Sequence, residues 1–239
     1  MQALDLYALV EEYLGFEDEI HELYKTIGHH VLSKEPKTLI DIGCGQGEFC
    51  YIMNYNGIKT YGVDLSQKQI ELALLKDDTL NVHCTDIKNV KEKFDCATAI
   101  FDVINYLPPK ELKQFLSSCF NVVNVGGYFI FDINSLYGFS EIATGTLNID
   151  LESKHEDTIN DKFIAIDADF EDDTLRTKIT LFQQDGNHYK KENGTIKQYH
   201  HSNQKLKKIL KSVGFKTIKI VDFSLHSEDA DKYIFICEK

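Results

Sequence analysis

The run Leu39-Ile40-Asp41-Ile42-Gly43-Cys44-Gly45-Gln46-Gly47-Glu48-Phe49 constrains this chain more than any other segment. Leu39, Ile40 and Ile42 suit a parallel strand buried on both faces, and glycines at alternate positions let backbone approach a ligand with no Cβ in the way. The segment therefore predicts a buried strand that ends in a glycine-rich turn and opens a helix. A second strand, over 60–63, runs into Asp64. That acid falls about 20 residues past the turn, where doubly wound α/β folds place the carboxylate that takes a ribose. Gly-x-Gly alone serves in any tight corner. Joined to a strand-terminal acid at this distance, it points to a nucleotide-like ligand.

The nicotinamide and flavin fingerprint is Gly-x-Gly-x-x-Gly, and the helix that follows receives a pyrophosphate at its N-terminus. This chain reads Gly43-x-Gly45-x-Gly47, with Asp41 two residues upstream and Glu48 opening the helix. Two carboxylates around the turn repel a phosphate and suit a cationic amino-acid moiety. The pattern resembles motif I of the class I S-adenosylmethionine-dependent methyltransferases, in which an acid is followed by Gly-x-Gly-x-Gly.

Apolar residues at helical spacing, first Leu6, Val10, Tyr13 and Leu14 and then Ile20, Leu23, Tyr24, Ile27 and Val31, predict two amphipathic helices before the first strand. From Thr38 the order is strand 38–42, helix 47–55, strand 59–63, helix 66–75, strand 81–84, strand 94–100, helix 109–123 and strand 127–133. Such alternation specifies a parallel sheet flanked by helices, a doubly wound α/β fold. The punctuation agrees: Asn56-Gly57 ends one helix, Ser66 caps the next, and Pro108-Pro109 open the long one.

After Asp132 the rhythm changes. Ile164, Ile166, Ala168 and Phe170 alternate with Ala165, Asp167 and Asp169, and Leu175, Thr177, Ile179 and Leu181 alternate with Arg176, Lys178 and Thr180. These are half-buried antiparallel strands joined at Glu171-Asp172-Asp173, with a third over 196–200. An insert in this place lies where it covers a ligand crevice. A helix carrying Leu206, Ile209, Leu210 and Val213 stops at Gly214, and strands over 215–221 and 232–237 finish the chain as an antiparallel hairpin. Three parts result: N-terminal helices and a cofactor-binding part over 1–135, an antiparallel β lid over 136–200, and a C-terminal helix and hairpin over 201–239.

With 26 basic and 38 acidic residues the net charge is −12, which disfavours a nucleic-acid partner. No stretch is apolar for the roughly 20 residues a membrane span needs, and the N-terminus lacks the features of a secretory signal. A soluble, cytoplasmic protein, monomeric or homodimeric, is expected. The six cysteines carry no Cys-x-x-Cys and read as reduced core thiols, with Cys44 as turn filler. His29-His30 and His200-His201 lack metal-ligand spacing, so no metal is expected.

The resemblance to class I methyltransferases implies a seven-stranded sheet whose last strand runs antiparallel, and the terminal hairpin looks like that feature. It implies Asp41 near the cofactor's methionine amino group, directly or through water, with the backbone of Gly43, Cys44 and Gly45 against the cofactor. It implies Asp64 on both ribose hydroxyls with Leu65 beside it, Thr85-Asp86-Ile87 at the adenine, and Phe101 at the end of the fourth strand. Tyr7 and Tyr13 on the first helix are placed to close over the cofactor, although core packing explains them equally well. The chain is also similar to the sugar-amine and glycine N-methyltransferases, through Phe101-Asp102-Val103-Ile104-Asn105-Tyr106-Leu107 and through Phe131-Asp132-Ile133-Asn134-Ser135-Leu136-Tyr137 followed by a lid. It departs from some of these relatives at the lid's end, where it carries Lys197-Gln198-Tyr199-His200-His201.

The expected activity is transfer of a methyl group from S-adenosylmethionine to a small-molecule acceptor by in-line displacement, which needs alignment and exclusion of water rather than a protein nucleophile. A base near the methyl would serve a hydroxyl or a protonated amine, and the candidates are His200, His201, Asp102, Asn105 and Tyr106. The acid-rich stretch over 150–173 favours an amine over a hydroxyl. Two alternatives stay open: an NAD-dependent oxidoreductase, and a noncatalytic protein that binds S-adenosylmethionine.

Overall fold

Strand and helix alternate as the sequence predicts in a computed structural model that describes residues 3–151, 154–155, 158–159 and 161–239. Helices α1 (Ala3–Ala8) and α2 (Glu17–Leu32) precede β1 (Thr38–Ile42). Then come α3 (Glu48–Tyr55), β2 (Lys59–Asp64), α4 (Gln67–Lys76), β3 (Val82–Cys84), β4 (Phe94–Ala99), α5 (Leu112–Val122) and β5 (Val123–Asn134). The insert supplies β6 (Gly145–Leu151), the two-residue strands β7 (Lys154–His155) and β8 (Thr158–Ile159), and the long strands β9 (Lys162–Glu171), β10 (Thr174–Asp185) and β11 (His188–Tyr199). Helix α6 (Asn203–Val213) and strands β12 (Thr217–Phe223) and β13 (Lys232–Glu238) complete the chain.

The main sheet has seven strands in the order β12-β13-β5-β4-β1-β2-β3. β1 runs parallel to β2 and β4, whereas β13 is antiparallel to both β5 and β12, the reversal expected where two strands meet with no helix between them. From β1 the chain steps outward to β2 and β3, then returns to β4 on the other side. The order thus reverses between β1 and β4, and in such sheets the crevice for a ligand opens at the carboxyl ends of those strands.

Helices α5 and α6 cover one face through Leu112, Leu116, Leu206 and Leu210, while α2 and α3 cover the other through Leu23, Ile27, Phe49 and Met53. Phe131 of β5 stacks on Phe235 of β13 at 4.8 Å and 10°, so the reversed strand is fixed by aromatic packing as well as by its hydrogen bonds. All six cysteines are unpaired, and Cys84 alone among them is exposed. No helix among the described residues is long and apolar enough to cross a membrane.

The insert forms a four-stranded antiparallel sheet in the order β11-β10-β9-β6. β11 begins at His188 rather than at 196, because Ile196 is its first buried residue and the strand before it has no buried face to give an alternating pattern. The first helix is shorter than its spacing predicts. It ends at Ala8, and a 3-10 turn over Glu11–Tyr13 redirects the chain before Gly15, whose φ is +75°. This turn lets Leu6 and Val10 pack on Ile164, Ile179, Leu181 and Ile196 of the insert. Gly194 of β11 permits the approach: a Cβ there would stand 3.3 Å from the Ala3 backbone. The long helix starts at Leu112 rather than 109, after a turn in which the Glu111 amide donates to the Pro108 carbonyl.

Replacing Phe235, which is fully buried, by alanine removes the stack on Phe131. It is expected to cost about 3–5 kcal/mol and to lower the thermal unfolding midpoint by roughly 10 °C, measured by circular dichroism.

Candidate active site

A cavity of about 940 Å³ opens at the carboxyl ends of β1, β2, β3 and β4. Its wall is the glycine turn, Asp64 to Ser66 after β2, Thr85 to Ile87 after β3, and Phe101, Val103 and Tyr106 after β4. Tyr7 and Glu11 of the N-terminal segment and Tyr24 of α2 close it from above.

The turn is fixed to β2. The amides of Gly43 and Cys44 both donate to the Val63 carbonyl, at 2.7 and 3.1 Å, and the Gly45 amide donates to Asp64 Oδ2 at 3.0 Å. Gly45 has φ +52°, and a Cβ there would meet only Gln69 Oε1, at 4.0 Å, so its missing side chain keeps ligand space open. The Cys44 side chain points away from this space and packs where Gly62 leaves room for it, which fits its reading as turn filler. Asp64 Oδ1 accepts from the Ser66 amide at 2.8 Å. Burial raises the Asp64 carboxyl although these amides oppose the shift, and each oxygen keeps a lone pair for a further donor.

The N-terminal segment is clamped onto this floor. Ser66, which caps α4, donates through Oγ to Asp5 Oδ1 at 2.6 Å. Glu11 accepts from Gln69 Nε2 at 3.0 Å and from Gln46 Nε2 in the glycine turn. Burial raises the Glu11 carboxyl. Gln69 Oε1 is buried with no partner, and the Tyr7 and Tyr106 hydroxyls on the wall have none among the described residues.

The methyltransferase-domain family matches residues 16–220. The chain belongs to the S-adenosylmethionine-dependent methyltransferases. A Geobacillus sp. (strain WCH70) protein named as a methyltransferase is 30% identical over 114 residues, which are 44% of this chain and 46% of that relative. The chain thus matches about half the length of its curated relatives. Among solved structures, an S-adenosylmethionine-dependent methyltransferase from Clostridium acetobutylicum ATCC 824 has a TM-score of 0.76 at 23% identity, covering 98% of this chain and 97% of that one. The sugar N-methyltransferase KedS8 from Streptoalloteichus sp. ATCC 53650 has a TM-score of 0.77 at 15% identity, covering 100% and 93%. Both share the fold of this methyltransferase.

Gly43, Cys44, Gly45, Asp64, Leu65, Thr85, Asp86, Ile87, Phe101 and Tyr106 all stand on the cavity wall of the methyltransferase. Asp86 is partly occupied: burial raises its carboxyl, but the Lys88 amide at 3.0 Å and ammonium at 2.9 Å hold it low. Asp41 is not on the wall. It lies buried within β1, accepts from Thr98 Oγ1 at 2.7 Å, and is pushed up to about 7 by burial. Tyr13 is also off the wall, because the 3-10 turn swings it to the insert, where Lys162 donates to its hydroxyl at 2.9 Å.

Of the five candidates for chemistry, Tyr106 alone reaches the wall. Asn105 is a brace, donating to the Tyr199 carbonyl at 2.9 Å and accepting from the Asn134 amide at 3.0 Å. Asp102 points behind the wall to Lys232. His200 pairs with Asp173 at 3.1 Å, and His201 is buried with Nε2 donating to the Leu107 carbonyl at 3.0 Å. No described residue of the insert lines this cavity, so the insert meets it through α1 and Tyr106, on which it packs. Sequence reading missed Glu11, Gln46, Gln69 and Lys232. Gln46 lies inside the glycine turn and Lys232 opens an apolar strand, whereas Glu11 carries no pattern at all.

Burial lowers the His201 imidazole to about 4 from an ordinary 6.5. The unfolded chain therefore binds more protons between these values, so this group's contribution to stability is present above 6.5 and is lost as pH falls toward 4. His201→Gln, which keeps a donor for the Leu107 carbonyl, should flatten the fall of the unfolding midpoint over that window relative to wild type. Parallel curves would show that the imidazole is not held neutral.

Proposed function

We propose that this methyltransferase moves a methyl group from S-adenosylmethionine to a small-molecule amine. The observation that carries the reading is the charge of the cavity wall. Glu11, Glu12, Glu17, Glu48, Asp64, Asp77, Asp86 and Glu111 contribute carboxylates, against Lys76 as the one basic side chain there among the described residues. Such a wall concentrates cations and repels phosphate- or carboxylate-bearing acceptors. It also opposes a pyrophosphate at the α3 N-terminus, where Glu48 sits, and so disfavours an NAD-dependent reaction.

The residues fit the cofactor. Asp64 keeps lone pairs for two ribose hydroxyls, Ile87 offers an apolar surface to the adenine beside Thr85 and Asp86, and the backbone at Gly45 lies open to the methionine part, with Gly43 beside it on the wall. The orphaned Gln69 Oε1 offers an acceptor to a hydroxyl or ammonium. When bound, the cofactor supplies a methyl on a sulfonium, activated for displacement. Phe101, Tyr7 and Tyr106 are among the aromatic side chains on the wall, whose ring faces receive an amine and exclude water. Burial raises both tyrosine phenols and keeps them neutral, able to orient an amine by hydrogen bonds. The insert over 136–200 holds α1, and with it Tyr7, against the cavity. KedS8, a sugar N-methyltransferase, shows that this fold accommodates an amine acceptor.

Isothermal titration should give binding of both S-adenosylmethionine and S-adenosylhomocysteine, and Asp64→Ala should weaken it roughly 10- to 100-fold through loss of charge-assisted hydrogen bonds. No heat with either compound sinks the cofactor reading. Turnover of hydroxyl acceptors but of no amine, across a panel of both, sinks the choice of amine.

A further inference from the structure

We infer that Lys232 is a positioning residue for this site: through Asp102 and Asp132 it holds the left-handed turn at Phe101 and Asp102 that sets the Phe101 ring against the cavity. The inference rests on the cofactor reading of that cavity and adds a residue that never touches the ligand.

Lys232 opens β13, the one reversed strand of the main sheet, and is 2% exposed. Its Nζ donates to Asp102 Oδ1 at 2.5 Å and to Asn134 Oδ1 at 2.8 Å, and lies 3.6 Å from Glu19 Oε1 and 3.8 Å from Asp132 Oδ2. The same ammonium stands 5.0 Å from the centre of the Phe101 ring. One buried cation thus ties together α2 and the ends of β4, β5 and β13. Of these partners only Phe101 lines the cavity.

The turn needs such a hub. Phe101 and Asp102 have φ of +65° and +68°, a conformation that a bulky residue adopts only when its surroundings impose it. Asp132 imposes it by accepting from the Phe101 amide at 2.7 Å and the Asp102 amide at 3.2 Å. Asp132 is fully buried. Burial raises its carboxyl to about 7, and Lys232 is the nearby charge that opposes the rise. Without the ammonium, Asp132 takes up a proton and loses acceptor strength toward the two amides, while Asp102 loses its partner. Both changes release the turn, and the Phe101 ring moves from the wall.

The test is calorimetric titration of S-adenosylhomocysteine into wild type, Lys232→Met, Lys232→Arg, Phe101→Ala and the Lys232→Met/Phe101→Ala double variant, with thermal unfolding of each. Lys232→Met and Phe101→Ala are each expected to weaken binding about 10-fold, and the double variant no more than about 3-fold beyond the weaker single one, because both act through one ring. Lys232→Arg should stay within about 3-fold of wild type, since it keeps the charge. A folded Lys232→Met that binds like wild type overturns the inference. So does a double variant whose losses multiply to about 100-fold, the outcome of a general structural effect. Should Lys232→Met not unfold cooperatively, Asp102→Asn is read in the same cycle with Phe101→Ala, and unchanged affinity or multiplied losses there overturn the inference equally. Wild type that gives no heat with S-adenosylhomocysteine overturns the cofactor reading first, and this inference with it.

Discussion

Three amides of the turn after β1 donate to the end of β2, two to the Val63 carbonyl and one to Asp64, and the floor of the site and the segment that roofs it are built on that contact. It fixes where the glycine backbone faces and where the Asp64 carboxylate points in a single step. The α4 N-terminus follows, because Ser66 both donates its amide to Asp64 and caps the helix. The N-terminal segment then docks on these same residues, with Asp5 on Ser66 and Glu11 on Gln46 and Gln69. The insert comes last, since its apolar face is covered by Leu6 and Val10 of that segment. A clamp of this order makes the roof of the cavity depend on its floor, so a ligand that orders the floor also holds the roof.

The electrostatics run the other way. Asp41, Glu11, Asp64 and Asp132 are all raised by burial, so the folded protein carries carboxyls that would be more comfortable in water. Lys232 relieves the group behind Phe101 from within the protein. For the carboxylates on the cavity wall, Lys76 is the sole basic side chain there among the described residues, and relief is left to whatever enters. On the proposed reading, a cationic ligand supplies that relief to the wall as it stands.

Much of the fold was legible because its signals are local. The buried run at Leu39–Ile42, the glycine turn, the Ser66 cap and the lack of a helix between the last two strands each follow from a few adjacent residues, and each appears in the structure. The shape of the N-terminal segment was not legible. Leu6, Val10 and Tyr13 have helical spacing, but the segment serves two surfaces, and the chain breaks after Ala8 so that these three meet the insert while Tyr7 meets the cavity. That choice depends on contacts with strands more than 150 residues away in sequence, such as α1 with β11 at Gly194. The upper part of β11 was illegible for a simpler reason: from His188 to Thr195 it has no buried side chain to mark one face.

The residues read as chemistry and those that reach the cavity divide on one physical property, the hydrogen-bonding capacity left after folding. Asp102, Asn105, His200 and His201 are polar groups near strand or lid ends, which from sequence alone makes them candidates. In the structure each is engaged by the protein itself, with Lys232, with Tyr199 and Asn134, with Asp173 and with Leu107. His201 does leave Nδ1 unpaired, but as a neutral ring packed against the protein. Asp64, the Gln69 carbonyl oxygen and the hydroxyls of Tyr7 and Tyr106 keep capacity unspent, and all four residues face the cavity. Unspent capacity in a half-closed site costs stability unless a ligand uses it, so its concentration on one wall is a statement about binding. Spent capacity just behind that wall is what keeps the wall in place, and Asp102, a candidate base from sequence, stands there bonded to Lys232, because a strut and a base are the same residue type at the same strand end.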